Sequence, residues 1–375
     1  MNLIYLDNAA TTRIKSEVLN EMMPYLSKEY GNPSSLYSVG RNAKKAIEKA
    51  RTQVAKLINC DSNEVYFTSC GSESDNTALK GYAYKNRNKG NHIITSKIEH
   101  PAILESCKNL EEKGFEISYI NVDENGRIDL TELENAIKPT TILISIMFAN
   151  NEIGTIQPVE EIARIAQEYE IVFHTDAVQA VGNVKIDVKK MNIDMLSMSG
   201  HKINAPKGIG VLYVKDGIEF ERYIDGGHQE RSKRSGTENV ASIVGIGKAC
   251  EIANRDLDKH IINTRKLRDY YLRKLEAEIP NKYIINGSME YRLPGNANIS
   301  LKGVEASKII FGLDEKNICV SSGSACSSGN SEPSHVLTAI NVPNEYIQCA
   351  IRTTFSDNNT FDEIDYVVKC LKNLI

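Results

Sequence analysis

Lys202 closes the block Ser199-Gly200-His201-Lys202, and 26 residues earlier Asp176 opens the block Asp176-Ala177-Val178-Gln179. Each block follows a short apolar run of strand character, Ile171-Val172-Phe173 before the first and Ile193-Asp194-Met195-Leu196 before the second. On a parallel sheet both would present polar side chains at one rim, where α/β folds bind ligands. A lysine there can take up an aldehyde, and an acid there can hold a proton on a pyridine nitrogen. Together they are what pyridoxal phosphate chemistry requires. Alone, Lys202 would read as a surface lysine after a strand, and Asp176 as a helix N-cap. The pairing of the two blocks decides against both.

A free lysine with a pKa of about 10.4 is a poor nucleophile at neutral pH, so burial or a neighbouring cation must lower it. Asp176 against a ring N–H would contribute roughly 1.5–3 kcal/mol as a charge-assisted hydrogen bond. Gln179 can reach the cofactor's phenolic oxygen from the same turn. Ser199 and His201 carry donors for a phosphate. The stretch Thr68-Ser69-Cys70-Gly71-Ser72-Glu73-Ser74 follows another strand-like run and leads into a helix expected to begin near Asp75. Helix-start amides with a serine hydroxyl make an anion cradle, although Ser/Thr/Gly turns are also ordinary N-caps. His100, in Ile98-Glu99-His100-Pro101, suits stacking on a ring and proton shuttling, or plain capping.

Two residues from the C-terminal third complete the set. Cys326 stands in Ser321-Ser322-Gly323-Ser324-Ala325-Cys326-Ser327-Ser328-Gly329-Asn330-Ser331, a small, polar run with no apolar periodicity. It is therefore expected to be exposed, unlike Cys250, Cys349 and Cys370, which read as buried and inert, and Cys319, which reads as structural. A pKa lowered from about 8.5 to about 7 would raise its thiolate fraction about fifteen-fold. Arg352 can grip a carboxylate bidentately, though its local sequence fits a surface salt bridge equally well.

The elements that must position these residues read as an α/β fold. Strands are expected at 65–68, 92–95, 142–148, 171–174, 195–199 and 210–214, with periodic helical stretches such as 42–58 and 158–169 between or before them. That alternation predicts a mainly parallel sheet covered on both faces. One or two long helices follow over 240–278, and the C-terminal part reads as α+β. The expected division is a large domain of residues 15–254 and a small one of residues 1–14 and 255–375, the latter carrying Cys326 and Arg352.

Bulk properties narrow the class. With 375 residues the chain can bury a sizeable core. A net charge of −4 gives no sign of a nucleic-acid or polybasic membrane surface. No run approaches the roughly 18 apolar residues of a membrane span, and the start lacks a signal-peptide pattern. Eight cysteines without paired CxxC spacing resemble neither a disulfide framework nor a zinc site, and no metal is expected. These features lead to an expectation of a cytosolic protein.

Further segments join the two blocks: Tyr5-Leu6-Asp7-Asn8-Ala9-Ala10-Thr11-Thr12, Gly31-Asn32-Pro33-Ser34-Ser35, 67–76, Asn150-Asn151-Glu152-Ile153-Gly154, Arg234-Ser235-Gly236-Thr237 and Ser322-Gly323-Ser324-Ala325-Cys326. With them the chain resembles, nearly end to end, the cysteine desulfurases of the NifS/IscS type. These are class V aminotransferase relatives of fold-type I, with a large domain built on a mainly parallel seven-stranded sheet. The cysteine motif is similar to that of the long-loop subgroup.

The resemblance implies a homodimer that binds pyridoxal 5'-phosphate through a Schiff base at Lys202. It places Asp176 on the ring nitrogen, Gln179 on the phenolic oxygen and His100 on the ring face. Gly71, Ser72, Ser199 and His201 would hold the phosphate, joined by Thr237 from the other subunit. Asn151 and Arg352 would orient cofactor and substrate carboxylate. L-Cysteine would become alanine while Cys326 takes the sulfur as a persulfide and passes it to an acceptor protein, such as an iron–sulfur scaffold.

Tyr37, Gly227-His228-Gln229 and Arg352-Thr353-Thr354-Phe355-Ser356 depart from the family pattern. The end at Ile375, without the longer tail that helps housekeeping members dock the scaffold, bears on that partner rather than on the chemistry. Competing readings are a selenocysteine lyase, an aminotransferase in which Cys326 has no role, and an interaction protein that kept the fold without activity.

Overall fold

The computed structural model describes residues 3–323 and 333–375. Its central sheet has seven strands: β1 (Val65–Thr68), β2 (His92–Ser96), β3 (Glu116–Ile120), β4 (Thr141–Ser145), β5 (Val172–Asp176), β6 (Met195–Ser199) and β7 (Gly210–Val214). Their order is β1-β7-β6-β5-β4-β2-β3, parallel throughout except where β7 runs against β6 and β1.

Alternating side chains serve the two faces, as the strand period of two requires. Ile144, Phe173, Leu196 and Val211 enter one buried cluster, with residues of the helix Ser38–Ile58 and the start of Val240–Glu278. Leu143, Met195, Leu212 and Ile93 enter another, with Leu79, Ile103 and Leu110. Both faces are covered, so these strands are buried along nearly their whole length, with polar residues such as His174, Asp176 and Ser199 gathered toward their carboxyl ends.

Residues 116–120 were not expected as a strand. β3 lies at the sheet edge, where the pattern Glu116-Ile117-Ser118-Tyr119-Ile120 is mostly half-exposed and carries a weak apolar signal.

A second sheet consists of β8 (Tyr283–Ile285), β9 (Asn296–Leu301) and β10 (Ala350–Thr354), antiparallel with β9 in the middle. It shares a separate apolar core with Leu6, Leu267, Tyr271, Leu313 and Val367. The chain's start, Ile4–Tyr5, pairs with Ile318–Cys319 beside this core. One unbroken helix, Val240–Glu278, joins the two regions: Ala249 and Ile252 are buried in the first core, Leu267 and Leu275 in the second. The position 254/255 expected as a boundary falls inside that helix. Among the described residues, no helix is long and apolar enough to cross a membrane.

Candidate active site

The site forms where the parallel strands end. β5 ends on Asp176, which pairs in register with Ser197 of β6. β6 runs on to Ser199 and a single 3₁₀ turn, Gly200–Lys202, which delivers His201 and Lys202. β1 ends at Thr68 and leads into the helix Gly71–Asn76. That helix starts four residues earlier than expected, because Cys70 rather than a hydroxyl residue caps it, its Sγ accepting from the Glu73 amide at 3.4 Å. The segments following β1, β2, β4, β5 and β6, with Ala9 and Ala10 of the chain's N-terminal segment, surround one cleft of about 820 Å³.

Ten of the expected site residues line that cleft: Gly71, Ser72, His100, Asn151, Asp176, Gln179, Ser199, His201, Lys202 and Arg352. Lys202 Nζ donates to the carbonyls of Ala9 at 2.5 Å and Ala10 at 2.8 Å. Gln179 Nε2 donates to the same Ala9 carbonyl at 3.0 Å. Asp176 is buried and accepts the Val178 amide at 2.9 Å. Burial raises its pKa, opposed by His100, that amide and Lys202.

His100 fills both roles that its sequence allowed. It caps the helix Pro101–Glu112, with Nδ1 accepting the Ala102 amide at 3.1 Å, and its ring faces the cleft. The cap leaves the neutral ring's proton on Nε2. Burial lowers the pKa of His100, so the neutral form prevails. His201 is pushed down to about 4 by burial and by Lys202 and Lys207; its Nδ1 lies 3.2 Å from Thr11 Oγ1.

Two expected residues are not among those ten. Thr237 is exposed and lines a neighbouring cavity with Ser69, Gly208 and Arg234. Cys326 lies outside the described residues. Its segment begins beside the cleft, since Ser321 and Arg352 exchange backbone hydrogen bonds of 2.6 and 3.2 Å.

Asp75 was missed as a site residue. It is buried, lines the cleft, and its Oδ1 has no hydrogen-bond partner. Ligand atoms of Asp75, His100 and Asp176 all lie within 4.8 Å of one another. Burial and the charge of Asp176 hold the Asp75 pKa well above the ordinary carboxylate range. The only sequence signal was its place inside the segment 67–76, which carried the resemblance.

These residues fit pyridoxal phosphate. The amides of Gly71 and Ser72 open a helix and have no acceptor within it. A Cβ on Gly71 would come within 2.8 Å of Val178 Cγ2 and 3.4 Å of Ser199 Cβ, so only glycine lets the cradle close against the lysine turn. A buried carboxylate such as Asp176 also needs a positive partner at its free face, which a pyridinium N–H supplies.

A mainly parallel sheet with this acid, lysine and cradle at its carboxyl edge defines a fold-type I pyridoxal phosphate enzyme. The chain belongs to the class-V aminotransferase family, whose model matches residues 4–367. It is 50% identical over 374 residues to the cysteine desulfurase IscS of Clostridium botulinum, covering 99% of this chain and 94% of that protein. Among solved structures, a NifS-like protein superposes with a TM-score of 0.94 at 38% identity, covering 100% of this chain and 99% of that one. SspA in complex with cysteine superposes with a TM-score of 0.82 at 36% identity, covering 95% and 100% of the two chains.

Proposed function

We propose that this chain is a pyridoxal-phosphate-dependent cysteine desulfurase that converts L-cysteine to L-alanine and takes the sulfur onto Cys326 as a persulfide. One observation carries the reading: the strand that bears Arg352 on the cleft wall pairs through Ser321 with the segment leading to Cys326. A carboxylate grip, a Schiff-base lysine and the approach to a thiol are thus joined at one cleft.

When bound, the cofactor supplies an aldehyde for amines and a ring that takes up electron pairs released at the substrate carbons. Lys202 would be the resident amine for that aldehyde and, when free, its Nζ would take the α-proton from the substrate Cα and hand it back. Asp176 keeps the ring nitrogen protonated, Gln179 and Asn151 orient the ring, and His100 covers its face. Gly71, Ser72, Ser199 and His201 hold the phosphate, and Arg352 grips the substrate carboxylate. The Cys326 thiolate attacks the substrate sulfur. A sulfur–sulfur bond forms as the Cβ–S bond breaks, and the pair left on Cβ takes a proton to give alanine.

The same proposal includes a homodimer in which Thr237 serves the partner's cleft. Its support is the exposure of Thr237 away from its own cleft, together with the exposed apolar side chains Leu19, Met23, Leu26, Tyr30, Leu36 and Tyr37. It includes an acceptor protein for the sulfur, such as an iron–sulfur scaffold, and a cytosolic setting. The seven described cysteines are free thiols, as a reducing compartment keeps them. Two domains, 15–254 and 1–14 with 255–375, are supported by a second apolar core drawn wholly from the smaller one, although Leu293, Val336, Leu337 and Ala350 of that part pack into the first core.

Brief exposure of the holoenzyme to L-cysteine, followed by mass spectrometry and alanine assay, tests the reading. One added sulfur on the Cys326 peptide with alanine released is the expected result. Alanine without that modification, or no product at all, would overturn it.

A further inference from the structure

The chain enters and leaves the 324–332 stretch over one buried acid. Glu152, in the turn that follows β4, is 2% exposed. Its Oε2 accepts a hydrogen bond from Ser334 Oγ at 2.6 Å. Gly323 approaches the same oxygen so closely that a Cβ there would lie 2.9 Å from it, and Gly323 has a φ of 122°, a conformation open to glycine. The two ends of the stretch therefore converge on one carboxylate oxygen.

Glu152 is itself held rigidly. Its amide donates to Asn150 Oδ1 at 2.8 Å, and its carbonyl accepts from Asn296 and Asn298 of β9 at 3.2 and 3.1 Å. Ser334 is equally fixed, because its Oγ also caps the helix His335–Ala339 by accepting the Leu337 amide at 3.2 Å. The preceding residue, Asn151, lines the cofactor cleft, and its carbonyl accepts from Arg352 Nη1 at 2.8 Å. One short turn thus sets one residue in the cleft and the next beneath both stems. Burying a carboxylate is costly unless its hydrogen bonds are satisfied, and here the Ser334 stem satisfies one.

We propose that Glu152 is a positioning residue for sulfur transfer: by bonding Ser334 and packing against Gly323 it fixes the two points beside the cleft between which the Cys326 segment runs. This rests on the desulfurase reading. The residue acts on the encounter of thiol and substrate sulfur, not on cofactor or substrate binding. A misplacement of about 1 Å in such an encounter costs on the order of a hundredfold in rate.

The test compares wild-type, Glu152→Ala, Glu152→Gln, Ser334→Ala and Cys326→Ser holoenzymes. Three quantities are read: cofactor absorbance, the affinity for L-cysteine from its change, and the rate of persulfide appearance on Cys326. Glu152→Ala and Ser334→Ala are expected to keep cofactor and cysteine affinity while persulfide forms at least about tenfold more slowly. Glu152→Gln, which retains a carbonyl acceptor for Ser334, is expected to recover most of the rate. Wild-type persulfide rates in Glu152→Ala, a parallel loss of cofactor binding, or no rescue by glutamine would overturn the proposal. A wild-type enzyme that forms no persulfide, like Cys326→Ser, would overturn it together with the desulfurase reading.

Discussion

Arg352 and a half-buried Asp7 pair across the length of the chain, with Nη2 donating to Oδ1 at 2.8 Å and the guanidinium side chain 1% exposed. Nη1 is committed to the Asn151 carbonyl, and Nε has no hydrogen-bond partner. The surface salt bridge that local sequence allowed is therefore an interior one, and it aims the guanidinium at the cleft. Arg352→Lys keeps the charge but loses the planar fork. It is expected to raise the KM for L-cysteine by about ten- to a hundredfold, as loss of roughly 1.5–3 kcal/mol implies, with a smaller change in kcat. Steady-state alanine release checks this.

Lys202→Ala is expected to lose the yellow absorbance of cofactor bound through its amine, while Cys326→Ser keeps it and still binds cysteine. Absorbance spectra with and without L-cysteine separate the two. A Cys326→Ser enzyme with undiminished persulfide transfer would refute the role given to that thiol.

Glu99 makes stability depend on pH. Its carboxylate is buried beneath the cleft and accepts from Ser96 Oγ at 2.6 Å and from the Met147 amide at 3.0 and 3.1 Å. Burial nonetheless pushes its pKa up to about 8. Unfolded, the group titrates near about 4.3, so between those values the folded state binds the extra proton. This contribution is present at low pH and is lost as pH rises toward about 8. Glu99→Gln is expected to flatten that fall, gaining most in Tm over wild type at pH 8 and least near pH 5. Thermal melts across that range measure it.

Three consecutive residues, Glu230, Arg231 and Ser232, have φ values of 43°, 57° and 65°. The strain is held by buried contacts. Glu230 takes Arg51 bidentately at 2.7 and 2.8 Å and the Phe67 amide at 2.9 Å, while Arg231 reaches the Val65 carbonyl at 2.7 Å. Ser232 is exposed, and its Oγ makes one surface contact, with His228 Nδ1 at 3.1 Å, which adds little against the strained backbone angle. Ser232→Gly is expected to stabilise the protein by about 0.5–1 kcal/mol. Arg51→Ala, which strands a buried carboxylate, is expected to cost about 3–5 kcal/mol. Denaturant midpoints for the two variants give opposite signs.

If Thr237 completes the partner's cleft, Thr237→Ala and Lys202→Ala chains should complement each other. A mixed dimer then has one cleft with both residues intact. Dissociating and reassociating the two variants together is expected to restore turnover that neither has alone. Absence of recovery would place Thr237 outside the site.

Much of the fold was legible in the sequence because six of the seven central strands are largely buried, giving short apolar runs that stop at polar strand ends. Strands 195–199 and 210–214 match the structure residue for residue. β3 and β10 were not legible. The first is a half-exposed edge, and the second, Ala350-Ile351-Arg352-Thr353-Thr354, puts a charged residue into the interior, where only the tertiary partners Asp7 and Asn151 make it tolerable.

The sequence by itself determined the chemistry: the lysine, acid, histidine and anion cradle follow strand ends, and their order and types carried the family resemblance. Tertiary structure decided what no local pattern encodes. It brought Ala9 and Ala10 onto Lys202 and turned Asp75 into the cleft. It buried Arg352 against Asp7 and closed the stems at Gly323 and Ser334 over Glu152. Short-range periodicity reports which way a side chain faces within its own element. Which distant carbonyl or carboxylate meets it is fixed only when the elements pack.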